Sequence, residues 1–146
     1  MKTINGLYRA IVSNIKDPEK MGRIKVVIPE LMGNNSESSW CMPCVSVCYD
    51  NGGDFCLPKV KETVWVAFEQ GDINRPVYLG NWWSPQKTPT GRDYENKRVI
   101  SFDQCEITML GDKIDIRGKV DLTQLSVNGK SLHDYIKEVV EEVNNA

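Results

Sequence analysis

The chain has 146 residues, of which 40% are hydrophobic and 26% are charged, and its net charge is −2. This composition is typical of one globular domain, or of a small domain with an appendage, and it excludes collagenous and disordered chains. No apolar run approaches the roughly 20 residues that a transmembrane helix requires. The N-terminal residues MKTINGLYRA lack the apolar core and cleavage site of a signal peptide. We therefore expect a protein that is made in the cytoplasm and is not exported by a cleaved signal.

The first ninety residues contain short strand-like segments separated by turns that are rich in glycine, proline and aspartate. GLYRAIVSNI alternates, and in RIKVVIPEL the residues Ile24, Val26 and Ile28 share one face. The later segments WCMPCVSVC, KETVWVAFE and RPVYLGNWW complete a set of five, with turns at KDPEKMG, DNGGDF and QGDINRP. Five short strands predict a small barrel over residues 1–84; the strand count fits an OB barrel and does not exclude an SH3-like one.

The stretch WCMPCVSVC raises the question of a metal or redox site. It holds Cys41, Cys44 and Cys48, and Cys56 follows. On a strand, Cys41 and Cys44 point to opposite faces, while Cys44 and Cys48 lie about 13 Å apart. That separation is too large for one zinc ion, whose bonds to sulfur are roughly 2.3 Å long. The five cysteines are an odd number, and cytoplasmic thiols stay reduced, so we interpret the stretch as a wall of the barrel, with no metal and no cofactor.

Residues 85–97 have the proline, threonine and charge content of a linker, and the chain changes character after them. Residues 98–130 contain very short alternating pieces, each with two or three apolar side chains on one face. So small a unit buries too little surface to offset its ordering entropy. We therefore expect residues 98–130 to share a core with copies of itself, as a β-helix or β-prism does. The pieces are Ile100 and Phe102; Cys105, Ile107 and Met109; Ile114 and Ile116; Val120 and Leu122; Leu125 and Val127.

Residues 131–146 predict a helix, in which Ser131 can act as the N-cap with Asp134 three residues later. Apolar residues recur at spacings of 4, 3 and 4, as in a coiled-coil seam. The helix could instead dock on its own barrel, but its position after an oligomer-dependent segment favours self-association. The predicted trimer seam consists of Ile114, Ile116, Val120, Leu122, Leu132, Ile136, Val139 and Val143.

The barrel region carries several motifs at fixed spacings. D-P-x-x-x-G-R-[IV]-x-V is followed by W-x-x-P-C, by L-P-x-V and by V-W-V-x-F-E-x-G-D-x-x-x-P-V-x-L-G, over roughly residues 5–83. This set resembles the OB domain of phage baseplate central spikes, which also occurs in the valine-glycine-repeat spikes of type VI secretion systems and in contractile bacteriocins (tailocins). Lys61 departs from the pattern, because the family usually has glycine after L-P-x-V. The matching positions that we assign to turns and structure are Asp17, Pro18, Gly22, Arg23, Pro58, Trp65, Gly71, Asp72, Pro76 and Gly80.

The resemblance implies a fold of three parts: a five-stranded OB barrel, a short trimeric β-helix or β-prism needle, and here a C-terminal helix. It further implies a homotrimer that sits on a baseplate hub protein and is driven through the target cell envelope when the sheath contracts. The particle would be a phage tail, a tailocin or a related device, assembled in the bacterial cytoplasm. Some members carry a lysozyme domain at the place where this chain has only a linker. The helix leaves open whether a separate tip or tail protein caps the needle.

The sequence offers little support for an enzyme. Its single histidine, His133, follows the predicted helix cap and has no nucleophile placed near it. Some members of the family bind iron through paired histidines at the tip, which one histidine cannot provide. Trp40, Trp65, Trp82 and Trp83 could stack nucleic-acid bases, so an OB-type module for single-stranded nucleic acid or protein is the alternative. No basic stripe accompanies these residues, and we therefore expect no nucleic-acid partner.

Overall fold

A computed structural model describes residues 4–85, 87 and 95–145. The chain divides into two compact units, residues 1–88 and residues 89–146. Of the predicted linker, residues 86 and 88–94 lie outside the described ones.

The elements of the N-terminal unit are β1 (Tyr8–Asn14), β2 (Lys25–Val27), α1 (Pro29–Met32), β3 (Met42–Pro43), β4 (Cys48–Tyr49), β5 (Gly52–Gly53), β6 (Thr63–Phe68), a 3-10 turn (Glu69–Gly71) and β7 (Pro76–Asn81). Five strands form one curled sheet in the order β2-β1-β6-β7-β3, and β4 and β5 form a separate hairpin. Neighbours in the large sheet are antiparallel except β3 and β7, which are parallel. One bridge joins its two edges, since Ile24 N–H donates to the Cys41 carbonyl at 3.2 Å and Cys41 N–H donates back at 2.8 Å. The predicted five-stranded OB barrel fits this arrangement.

The core of this unit follows from strand alternation. In β6, Val64, Val66 and Phe68 are buried, whereas Trp65 lies on the opposite, outer face. The predicted shared face of Ile24, Val26 and Ile28 is confirmed, since all three are fully buried. The buried apolar residues are Ala10, Val12, Ile24, Val26, Ile28, Cys41, Val64, Val66, Phe68 and Tyr78.

The prediction of one continuous strand over WCMPCVSVC is wrong. Only Met42 and Pro43 pair with β7, and the Cys44 N–H extends the contact by donating to the Tyr78 carbonyl at 2.9 Å. The chain then leaves the barrel and forms the β4–β5 hairpin. Proline has no N–H to donate to a ladder, so a long strand through Pro43 would be weak. Cys41 is buried in the barrel, while Cys44 and Cys48 are exposed and do not belong to its wall.

The C-terminal unit contains β8 (Lys97–Phe102), β9 (Cys105–Leu110), β10 (Lys113–Arg117), β11 (Ser126–Val127), β12 (Lys130–Ser131) and α2 (Leu132–Asn144). β8, β9 and β10 form an antiparallel three-stranded meander, and β11 and β12 form a hairpin. Two-residue turns connect β8 to β9, β9 to β10 and β11 to β12, with positive φ at Asp103, Gly111, Asn128 and Gly129. Each turn contains an asparagine, aspartate or glycine, the residue types that favour such turns. The expected strand piece at Val120 and Leu122 is not found, since neither residue lies in a strand.

The C-terminal helix begins as predicted. Asp134 N–H donates to Ser131 Oγ at 3.2 Å, and the Ser131 hydroxyl donates to the Asp134 carboxylate at 2.6 Å. Lys130 also donates to Glu138 at 2.5 Å, which ties the helix to the β11–β12 hairpin. Because α2 is only 13 residues long, it would be marginal in water without a packing partner.

Candidate functional site

The loop between β1 and β2 is organised by one carboxylate. Asp17 accepts hydrogen bonds from the backbone N–H groups of Glu19, Met21 and Arg23 at 3.1, 2.8 and 3.2 Å. The Arg23 side chain donates to the same carboxylate through Nε at 3.0 Å and Nη2 at 2.7 Å. The Asp17 side chain is only 4% exposed. Gly22 closes the loop with φ +79°, a conformation that favours glycine.

The ion pair explains the electrostatics of this loop. Hydrogen bonding from Arg23, supported by the three backbone donors, holds the pKa of Asp17 well below its usual range. Arg23 also contacts Glu19 at 3.0 Å and lies over the Trp40 ring, 5.7 Å from its centroid. Both carboxylates that pair with Arg23 belong to its own loop. The Asp17–Arg23 pair therefore fixes the conformation of the loop.

The other motif positions have conformational roles. Pro58 is buried ahead of β6, and Pro76 is buried at the first position of β7, where no ladder donor is required. Gly80 lies at a β-bulge: Trp65 pairs with Gly80 and Val66 with Tyr78, so Leu79 is the extra residue. Gly80 has φ +121°, which glycine alone adopts readily. Gly71 ends the 3-10 turn with φ +74°, and Asp72 accepts from Asn74 N–H at 2.9 Å.

The meander of the C-terminal unit has one mostly apolar face, which also carries Arg98, and one mostly polar face, which also carries Val99 and Leu110. Cross-strand pairing places Ile100, Ile107 and Ile116 side by side, because Ile100 pairs with Ile107 and Ile107 with Ile116. The opposite face carries the Lys113–Asp115 and Arg117–Glu106 ion pairs. We call the first surface the apolar meander face; it consists of Ile100, Phe102, Cys105, Ile107, Met109, Ile114 and Ile116.

This face is exposed in the single chain. Ile100 and Ile114 are each 62% exposed, and no described residue of 95–145 is buried. In the isolated chain, the predicted seam residues lie at the surface and do not form a buried cluster. All eight are exposed large apolar side chains, at Ile114, Ile116, Val120, Leu122, Leu132, Ile136, Val139 and Val143.

Within residues 4–85, 87 and 95–145, no three His, Cys, Asp or Glu side chains are grouped so that they could hold a metal ion. Burial raises the pKa of the Cys41 thiol to about 11, which makes it a poor nucleophile. A cavity of about 550 Å³ lies beside the β4–β5 hairpin, with Met21, Met42, Phe55 and Tyr78 among its lining residues. Its lining is mostly apolar and also includes Cys48, Asp54 and Cys56.

Sequence reasoning missed one arrangement on the outer face of the barrel. Trp65 lies outside the core of the barrel, next to Trp82 and Arg9. The Arg9 Cζ atom lies 4.8 Å from the Trp82 ring centroid and 5.5 Å from that of Trp65. Alternation along β1 and β6 could have indicated that Arg9 and Trp65 both face outward. It could not have indicated that they are neighbours, because β1 and β6 are far apart in the sequence and become adjacent only in the sheet.

Comparison with known families finds a match in the N-terminal part of the chain. Residues 8–83 match the family model of the type VI secretion system and phage-baseplate injector OB domain. The chain belongs to this family. Its membership confirms the resemblance inferred from the motifs and indicates a structural, baseplate-associated role. A search of curated proteins finds no match to the chain.

The position of the match agrees with the division of the chain. The matched residues 8–83 lie within the N-terminal unit and include every motif position described above. The family is a structural domain and is not known for enzymatic activity. In the described part of the chain, no helix has the length and apolar character needed to span a membrane.

Proposed function

We propose that this protein is the central spike of a contractile injection particle. Three chains associate, their OB barrels sit on the baseplate hub, and residues 98–130 form a needle that pierces the target cell envelope when the sheath contracts. The particle is a phage tail, a tailocin or a related device, assembled in the bacterial cytoplasm. The role is mechanical and requires no turnover, only a body that unfolds slowly.

The observation that carries this proposal is the exposed apolar meander face. A small antiparallel sheet commonly covers one face with a core, yet here the whole face is open to solvent. Burying one large aliphatic side chain contributes about 1.5–3 kcal/mol. Self-association lets each copy cover the face of another, which gives the C-terminal unit the core that it lacks as a single chain.

The helix supports the same arrangement. Its apolar residues Leu132, Ile136, Val139 and Val143 follow a coiled-coil spacing and are all exposed. In the proposed trimer, the other copies would cover these helix residues, just as they would cover the apolar meander face. A separate tip or tail protein is the other candidate to cover this helix.

Two neighbouring residues on β9 provide a matched test. Ile107 lies at the centre of the apolar meander face, and Thr108 lies on the polar face, where it pairs with Val99 and Asp115. We expect Ile107→Lys to disrupt the trimer because a lysine would be buried without a partner. Thr108→Lys, beside Asp115, should leave the trimer intact. Native mass spectrometry of the 16.6 kDa chain should give three chains for the wild type and for Thr108→Lys, and one for Ile107→Lys.

A wild-type protein that is monomeric at micromolar concentration would refute the proposal. Equal disruption by both substitutions would show that β9 tolerates no lysine, and it would remove the apolar meander face as the explanation. Circular dichroism of both variants checks that the strands and helix are retained.

A further inference from the structure

The outer face of the barrel has a patch that the proposed function does not use. It lies where β1, β6 and β7 run side by side, and we call it the Arg9 patch. It consists of Arg9, Ile11, Trp65, Leu79 and Trp82. Ile11 and Leu79 are 44% and 43% exposed, so two aliphatic side chains of the patch face solvent.

Arg9 is held in the patch by aromatic rings. Its guanidinium lies within cation–π distance of both Trp82 and Trp65, whose centroids are 6.3 Å apart with their planes inclined by 48°. A guanidinium group that stacks on the face of an aromatic ring keeps its in-plane N–H groups available for hydrogen bonds. In the part of the chain that the structure describes, no carboxylate pairs with Arg9, whereas Arg23 pairs with two and Arg75 with one.

A second donor in the patch also lacks an acceptor. Trp82 Nε1 is buried and has no hydrogen-bond partner among the described residues. An unpartnered buried donor destabilises a protein by about 1–3 kcal/mol. The Trp82 main chain, in contrast, is fixed, because its carbonyl accepts from Thr63 Oγ1 at 3.0 Å. The indole lies against Trp65 and Arg9, and among the described residues no ion pair occupies the Arg9 guanidinium.

We propose that the Arg9 patch binds a protein segment in which aliphatic residues flank an aspartate or glutamate. The carboxylate accepts from the Arg9 guanidinium, and the aliphatic side chains cover Ile11 and Leu79. Arginine and tryptophan are the residue types that most often dominate protein interfaces. The inference concerns the barrel alone and goes beyond the proposed trimer, so either can fail without the other.

Charge favours a protein segment over single-stranded nucleic acid. Arg9 is the only charged residue of the patch, and the chain has a net charge of −2. A strand of nucleic acid requires several cations along its backbone, as well as rings for its bases. The exposed aliphatic side chains of Ile11 and Leu79 match an apolar segment better than a sugar-phosphate chain.

The test uses the full-length protein and three probes. The first is a capped pentapeptide of sequence Leu-Val-Glu-Val-Leu, the second has glutamine in place of the glutamate, and the third is oligo-dT. Binding is followed by tryptophan fluorescence and calorimetry. We expect the glutamate peptide to bind at least tenfold more tightly than the glutamine peptide, and Arg9→Gln to abolish this preference. Arg75→Gln is the matched control, because Arg75 is paired with Glu69 and lies outside the patch.

Three results would overturn the proposal: no binding of the glutamate peptide, equal binding of both peptides, or an unchanged preference in Arg9→Gln. Tighter binding of oligo-dT than of the glutamate peptide would assign the patch to nucleic acid and would overturn it as well. Native mass spectrometry of Arg9→Gln separates this proposal from the trimer. A loss of trimers in that variant would make the patch a contact between subunits and would refute the proposed partner.

Discussion

Asp17 shows how a single residue fixes a loop. Its carboxylate satisfies three backbone donors and one arginine within seven residues of sequence, and its side chain is almost fully covered. Charge-assisted hydrogen bonds of this kind are stronger than neutral ones. The loop between β1 and β2 therefore has one defined conformation, which places Arg23 against Trp40 and positions the start of β2.

Asp17→Asn should destabilise the N-terminal unit, because an amide offers one acceptor oxygen and directs its NH₂ group at donors. We expect the midpoint of thermal unfolding to fall by on the order of 5 °C at pH 7. The folded pKa of Asp17 lies below its unfolded value of 3.8. The stabilisation is therefore complete above about pH 4 and is lost as the pH falls below it. The difference in midpoint between wild type and variant should shrink accordingly in acid.

Glu19→Gln is the control for this prediction. Glu19 contacts the same arginine, but its side chain is 62% exposed, so the pair contributes little in water. Scanning calorimetry from pH 7 to pH 2.5 measures both variants. A pH-independent difference between the wild type and Asp17→Asn would show that the carboxylate charge is not the cause.

At the scale of elements, the turns set the registers of the strands. Two-residue turns join the strands of the meander, and the bulge at Leu79 and Gly80 shifts β7 by one residue against β6. The turn before β6 is less favourable, because Lys61 has φ +74° where the family usually has glycine. A hydrogen bond nevertheless fixes the backbone there, because Lys61 N–H donates to the Val12 carbonyl at 2.8 Å. The departure noted in the sequence therefore places a lysine in the left-handed conformation that glycine adopts more readily.

Lys61→Gly should stabilise the barrel. A non-glycine residue in the left-handed region destabilises the fold by roughly 1–2 kcal/mol. Glycine removes this strain, but its larger chain entropy in the unfolded state offsets roughly 0.5–1 kcal/mol of the improvement. A net increase of about 0.5–1 kcal/mol in the free energy of unfolding is expected from urea denaturation. Lys61→Ala, which keeps the strain and removes the same charge, should show no such gain; equal gains in both variants would contradict the backbone explanation.

At the scale of the whole molecule, the two units differ in how many apolar side chains they bury. Residues 4–85 enclose ten buried apolar side chains within one curled sheet, whereas the described residues of 95–145 bury none. Among the exposed thiols, Cys44, Cys48 and Cys56 belong to the first unit, and Cys105 belongs to the apolar meander face. A trimer built on this face protects Cys105 and leaves the other three accessible.

Alkylation with N-ethylmaleimide, followed by peptide mapping, tests this arrangement. In the assembled protein we expect Cys105 to react at least tenfold more slowly than Cys48. In the monomeric Ile107→Lys variant, the two should react at similar rates. Cys41 is the internal control, since it is buried and should react only after unfolding. Equal rates for Cys105 and Cys48 in a trimeric sample would show that the subunits do not meet through this face.

Local patterns in the sequence predicted much of the structure. The buried alternation around β2 and the Ser131 cap both depend on neighbours within a few residues. Segments that depend on distant partners were predicted less well. The run through Cys44 and Cys48 alternates like a strand, but the barrel offers it pairing partners only as far as the Tyr78 carbonyl.

The sequence by itself determined the family, the five-stranded barrel and the shortage of core after residue 97, because motif spacing and apolar periodicity are properties of the linear chain. Only the tertiary structure decided that Asp17 and Arg23 pair within one loop and that Lys61 keeps a left-handed backbone. It also brought Arg9 onto Trp65 and Trp82, which are 56 and 73 positions away in the chain. Such contacts depend on which strands become neighbours and in which register, and chain folding sets both through the burial of one common core.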